Sequence, residues 1–184
     1  MTGTPTWISY AAITGSTNEF LVSDNGRYNY IFGRNFDLES EFSVPSGTWY
    51  HYCFSWSSST RTQRVYLNGH LIGRESTDSS RNFQTSGYLV IGNDQDGSPG
   101  TGMATDNIFG GELYKLNIFS KELSSSEVQD MAINKCSEVE ETYGDLRNIK
   151  WEDILRKKRS GEISEVATIC EHGGKDLDHC INIY

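Results

Sequence analysis

The chain has 184 residues, enough for one domain with a substantial core. Its formal net charge of −9 leaves no basic face to neutralise phosphates, which argues against nucleic-acid binding. No stretch reaches the roughly 18 consecutive apolar residues of a membrane-spanning helix, and Met1 to Tyr10 lacks the positive and apolar regions of a signal peptide.

Ten Tyr, eight Phe and four Trp, with few long aliphatic runs, favour strands, and 18 Gly suit many tight turns. In chain order, Trp7 to Ile13 and Phe20 to Val22 are short apolar runs. Asp24-Asn25-Gly26 is a hairpin signal, because Asn-Gly accepts positive φ. Tyr28, Tyr30 and Phe32 alternate as a strand, and Phe36 to Val44 is another, ended by Pro45-Ser46-Gly47. Trp49 to Trp56 is bulky on both faces and is expected to be buried on both. Ser57 to Thr60 is a polar turn. Arg64 to Leu67, Asn68-Gly69 and His70 to Ile72 predict a β-hairpin. Tyr88 to Ile91 is a strand that enters the loop Gly92 to Gly111, and Glu112 to Phe119 alternates again. Ser124 with Glu127 is a capping-box pattern, which predicts a helix over Ser125 to Ile133. Beyond Cys136 the composition turns charged, with one more apolar cluster of Ile149, Trp151, Ile154 and Leu155. About nine short strands and one helix predict an all-β sandwich or barrel.

Four cysteines, Cys53, Cys136, Cys170 and Cys180, allow three complete pairings, and the sequence alone does not choose among them. No CxxC pair exists, so a zinc ribbon is not expected. Arg156-Lys157-Lys158-Arg159 reads as a solvated basic run in preference to a processing or nuclear signal. His51 reads as a sandwich residue, since no second His or Cys stands at ligand spacing beside it. His172 and His179 with Cys170 and Cys180 match no zinc pattern.

The loop after Ile91 carries the chemistry. From Asn93 to Asn107 it holds three carboxylates (Asp94, Asp96, Asp106) and three side-chain amides (Asn93, Gln95, Asn107). All offer hard oxygen donors, and calcium takes six to eight of these at about 2.3–2.6 Å in irregular loop geometry. Asp, Asn and Gly are also the ordinary residues of turns, so composition leaves a solvated turn open. No GxSxG nucleophile motif occurs. Asp94 and Asp96 alternate in a Gly-rich loop at a strand end, a placement better suited to cation binding than to an acid–nucleophile pair, so no enzyme is expected.

His51-Tyr52-Cys53-Phe54-Ser55-Trp56-Ser57-Ser58 resembles the pentraxin signature, His-x-Cys-x-Ser/Thr-Trp-x-Ser/Thr, with every fixed position kept. Ser9-Tyr10-Ala11, Asn18-Glu19, Val65 to Gly69, Val90 to Asp96, Gly111-Glu112-Leu113, Asn117-Ile118-Phe119 and Leu123 resemble the same family in collinear order, from Trp7 to Trp151. The tail resembles invertebrate C-reactive-protein relatives.

The resemblance implies a jelly-roll β-sandwich of the concanavalin/laminin-G type over residues 1–151, with one short helix, then an irregular C-terminal extension over 152–184. It implies two adjacent calcium ions, the second the weaker. Asn18 would serve the first, Asp94 and Asp96 would bridge both, and Gln95 would lend its carbonyl. Asn107 would serve the second, with Asp106 compensating for Ala104, which stands where the family has an acidic ligand. Thr17 likewise replaces an acid, and Ser23 and Asn35 stand where phosphocholine-binding members carry an aromatic ring and a Glu, so phosphocholine is not the expected ligand. Phosphate-bearing or carbohydrate ligands, secretion and a cyclic homo-oligomer follow as implications of the family, as does a disulfide to Cys53 from a strand upstream of Met1. The chain therefore reads as an N-terminally truncated pentraxin that folds poorly alone. The function so implied is a calcium-dependent pattern-recognition lectin; the alternative is a laminin-G-like adhesion module of an extracellular receptor.

Overall fold

Strands form wherever β-branched and aromatic residues run together. The computed structural model describes residues 4–14, 18–23, 28–31, 34–38, 47–76, 82–84, 86–133 and 147–156, and these contain ten strands and two short helices. The chain divides into two compact units, one made of Met1–Ser46, Ser58–Arg61 and Glu75–Glu112, the other of Gly47–Ser57, Thr62–Arg74 and Leu113–Tyr184.

The first unit is a five-stranded antiparallel sheet. Its strands are β1 (Thr6–Ala12), β2 (Phe20–Ser23), β3 (Tyr28–Ile31), β4 (Arg34–Asp37) and β8 (Gly87–Ile91), in the order β4-β3-β2-β1-β8. Cross-strand partners share a face of the sheet. Ile8 lies between Val22 and Ile91, and Tyr10 between Phe20 and Leu89, so these six form one face. Ser9 lies between Leu21 and Val90 on the other. Ile8, Ser9 and Ala11 are all fully buried, so both faces of β1 are covered. On the Tyr10 face, Phe83 meets the rings of Tyr10 and Phe20 edge-on at 6.4 and 6.1 Å. The Tyr10 hydroxyl donates to the Gln84 carbonyl, and the Gln84 amide donates to Glu19 Oε2 at 2.9 Å.

β5 (Tyr52–Ser57), β6 (Thr62–Leu67) and β7 (His70–Ser76) form a sheet in that order, all of it in the second unit except Glu75 and Ser76 at the end of β7. All six residues of β5 are buried, as its bulk on both faces predicts. The Asn68-Gly69 turn has φ of 50° and 79°, the left-handed pair that an Asn-Gly hairpin supplies. A Cβ at Gly69 would stand 2.9 Å from the Gln129 Cα, so the turn has no room for a side chain. α1 (Ser125–Ile133) buries Val128, Met131 and Ala132, a spacing that puts all three on one helical face. Val128 and Met131 join Cys53, Tyr66, Phe119 and Leu123 in a core cluster, in which burial of each Val, Leu, Phe or Met side chain contributes roughly 1.5–3 kcal/mol. The capping box forms as expected: the Ser124 amide donates to Glu127 Oε2 at 2.7 Å, and the Glu127 amide to Ser124 Oγ at 3.2 Å. Arg64 and Glu122 form an ion pair.

Three expectations are corrected. The strand expected over Glu112 to Phe119 shrinks to β9 (Ile118–Phe119), because Lys115 adopts φ 54° and its carbonyl accepts from Asn117 Nδ2 at 2.9 Å. The strand expected from Trp49 starts at Tyr52 instead. His51 bonds the turn residue in place of a ladder partner: its amide donates to Asn68 Oδ1 at 3.0 Å and its carbonyl accepts the Asn68 amide at 2.7 Å. The extension expected to be irregular from residue 152 opens within a second short helix, α2 (Trp151–Leu155), which follows β10 (Arg147–Ile149), a strand paired antiparallel with β9. The expected hairpin at Asp24-Asn25-Gly26, residues 39–46, Cys136, Cys170, Cys180 and the basic run beyond Arg156 lie outside the described residues. No helix among the described residues is long and apolar enough to cross a membrane.

Candidate metal centre

Where β8 ends, Gly92 (φ 85°) turns the chain away from the sheet, its amide donating to the Trp7 carbonyl at 2.8 Å. The loop then doubles back on itself. Gln95 pairs with Met103, and the Asp96 amide donates to the Gly102 carbonyl at 3.0 Å. A Cβ on Gly102 (φ 65°) would overlap the Gly97 backbone, so this crossing needs a residue without a side chain. Asn93 ties the base, accepting from the Asp94 amide at 2.7 Å and donating to the Ala104 carbonyl at 3.1 Å.

Asp94 is the centre of the arrangement. Its side chain is hydrogen-bonded to Asn18, which arrives from the turn before β2, and its Oδ1 accepts the Gln95 amide at 2.7 Å. Burial pushes the Asp94 carboxyl above the usual aspartate range; the Gln95 amide and Asn18 pull it down, and the Asp96 charge pushes it up. A carboxylate held mostly out of water beside a second carboxylate lacks positive charge, and a divalent cation would supply it. Asp96, two residues on, is exposed.

Gln95 is fully buried, and its side chain turns inward. Nε2 donates to the Ser9 carbonyl (3.2 Å), Ser9 Oγ (3.0 Å) and the Tyr88 carbonyl (3.1 Å), while Oε1 accepts the Gly100 amide at 2.8 Å. Its side-chain oxygen is therefore committed, which leaves the backbone carbonyl as the group it could lend to an ion. Asn107 is committed elsewhere as well: its Oδ1 accepts the Thr4 amide, and its carbonyl the Thr6 amide, each at 3.0 Å. Asp106 is exposed. Among the described residues no three of His, Cys, Asp and Glu gather into a metal-binding group, so Asp94, Asp96 and Asp106 do not converge as one cluster.

The structure thus brings Asn18 to Asp94, with Gln95 and Asp96 next in the chain, and draws Asn107 away to the N-terminal segment. Asn18 and Asp94 are the two oxygen-bearing side chains brought together, both of the hard type that calcium takes, while Asp96 and the Gln95 carbonyl adjoin them in the chain. Sequence reasoning missed the inward-facing amide of Gln95 and its partners Ser9, Tyr88 and Gly100. The spacing of Gly97, Gly100 and Gly102 was the available sign that this loop packs closely on itself.

The family described as the Concanavalin A-like lectin/glucanases superfamily matches residues 1–129. A mouse protein, "Sushi, von Willebrand factor type A, EGF and pentraxin domain-containing protein 1", is 33% identical over 155 residues, which span 83% of this chain but 4% of that protein. C-reactive protein 1.1 of Limulus polyphemus is 26% identical over 176 residues, covering 91% of this chain and 70% of the relative. Among solved structures, the native heptameric SAP-like pentraxin from Limulus polyphemus superposes with a TM-score of 0.56 at 24% identity, over 70% of this chain and 63% of that one. This likeness meets the expectation of a concanavalin-type β fold. The chain belongs to the Concanavalin A-like lectin/glucanases superfamily and counts pentraxins among its relatives.

Proposed function

We propose that this chain is a calcium-dependent, non-enzymatic recognition domain that binds phosphate- or hydroxyl-bearing ligands on cell or microbial surfaces. One ion is held by Asn18, Asp94, Asp96 and the Gln95 carbonyl; a second, weaker ion would draw on Asp106 and Asn107, and its weakness accords with the Asn107 side-chain oxygen being bonded to the Thr4 amide. A bound ion offers open coordination positions to a phosphate oxygen or a pair of vicinal hydroxyls. The observation that carries this reading is the bond from Asn18 to Asp94, a buried carboxylate with Asp96 beside it. Secretion belongs to this reading through the pentraxin resemblance alone, and the heptameric SAP-like pentraxin supports a cyclic homo-oligomer in which weak sites act together.

The test is a calorimetric calcium titration of the chain, with Asp94→Ala/Asp96→Ala as control. Uptake that the double substitution abolishes supports the reading, and a folded protein that takes up no calcium overturns it. A second reading, a laminin-G-like adhesion module of an extracellular receptor, is favoured by the mouse relative, whose name joins a pentraxin domain to sushi, von Willebrand and EGF domains. Calcium-independent binding to a protein or glycan partner would support that one.

A further inference from the structure

We propose that the buried Gln95 side chain is the positioning residue of the cation loop, clamping it onto the β1–β8 pair before any ion arrives. The inference rests on the calcium reading and goes beyond it, because it assigns a task to a side chain that would not touch the ion. One amide reaches three places at once. Nε2 meets Ser9 on β1 through its carbonyl and hydroxyl (3.2 and 3.0 Å) and the Tyr88 carbonyl on β8 (3.1 Å). Oε1 holds the Gly100 amide at the loop tip (2.8 Å). Gly100 in turn lies against the Tyr88 ring, where a Cβ would come within 2.8 Å of Cδ1. The loop base is closed separately, by the Gln95–Met103 bridge and the Asp96 amide on the Gly102 carbonyl at 3.0 Å.

Asp94 and Asp96 flank Gln95 directly. Once Gln95 is fixed inward, Asp94 sits 8% exposed against Asn18 while Asp96 is presented to solvent. A buried glutamine that only satisfied neighbouring polar groups would not need to bridge loop tip and sheet. The chemistry is specific to an amide: glutamate has the same shape but, ionised, no donor for the three acceptor atoms on Ser9 and Tyr88. A clamped loop meets the ion already ordered, so binding loses less to the entropy of ordering.

The experiment compares the full chain with Gln95→Leu, Gln95→Glu and Ser9→Ala. Amide hydrogen exchange is followed by mass spectrometry in chelator, and calcium affinity by calorimetry. In calcium-free Gln95→Leu and Gln95→Glu, exchange over residues 96–101 is expected to rise tenfold or more while β1 and β8 keep their protection. Calcium affinity falls tenfold or more, and Ser9→Ala gives smaller changes in the same direction. If Gln95→Leu does not fold, Ser9→Ala carries the test. Unchanged loop exchange and affinity would overturn the proposal, as would equal loosening of the whole sheet, which would make Gln95 a general packing residue. If the wild-type chain takes up no calcium, the ion reading falls with Gln95's role toward it, while the exchange measurement still decides whether Gln95 clamps the loop.

Discussion

The Asn18 side chain is hydrogen-bonded to the Asp94 carboxylate, joining the turn before β2 to the loop after β8. The two segments meet because β1 lies between β2 and β8 in the sheet. The strand order of the sheet thus sets the spacing between these two segments.

Replacing Asp94 by Asn keeps the shape and removes the charge. Calcium affinity is expected to fall at least tenfold, since charge count sets affinity in such sites. The calcium-free protein is expected to melt no lower than wild type, because a buried carboxylate beside Asp96 is penalised in its ionised form. Thermal melts with and without calcium check both signs at once.

Glu127 gives the clearest pH dependence. The hydrogen bond from Lys121 Nζ, 2.7 Å away, holds its carboxyl below the usual glutamate range, with help from Ser124. A depressed folded value means the contribution is full above the unfolded pKa, about 4.3, and is lost as pH falls through the folded one. Glu127→Ala should cost about 0.5–1 kcal/mol at neutral pH, the scale of an exposed cap or ion pair. In strong acid the wild type and variant should converge, which denaturant melts across pH would read.

Much of this was legible in the sequence. The capping box, the Asn-Gly hairpin and the doubly buried strand around Trp56 are local patterns with local causes, and they appear where expected. The meeting of Asn18 with Asp94 came from family resemblance, since no periodicity links residues so far apart. The broken strand at Lys115 was not legible, because alternation is a weak signal once one backbone angle turns positive, and the helix at Trp151 has only 5 residues, too few for a helical period to show. Gln95 was read by its carbonyl alone; that its amide points inward depends on Ser9 and Tyr88 across the sheet.

Gly69→Ala tests the close approach of hairpin and helix. The substitution meets both a φ of 79° and the Gln129 Cα at 2.9 Å. A loss of about 1–3 kcal/mol is expected. Gly47→Ala is the control, since φ there is 78° but nothing lies within 4 Å, and it should cost about 1 kcal/mol.

Met131→Ala removes a fully buried side chain from the cluster with Cys53 and Tyr66. The expected loss is about 2–4 kcal/mol, as transfer and cavity costs add. Equilibrium denaturation would show it as a lower midpoint at unchanged slope.

The hydrogen bond from the Thr4 amide to Asn107 Oδ1 has one further result. If the proposed second ion uses Asn107, the polypeptide already occupies one of the two lone pairs of that oxygen. On the two-ion proposal, the second position has to share that oxygen with the N-terminal segment or displace it, so the two ions are expected to enter as separate classes in a titration. Lengthening or tagging the chain at that end would then alter stoichiometry while leaving the first affinity untouched.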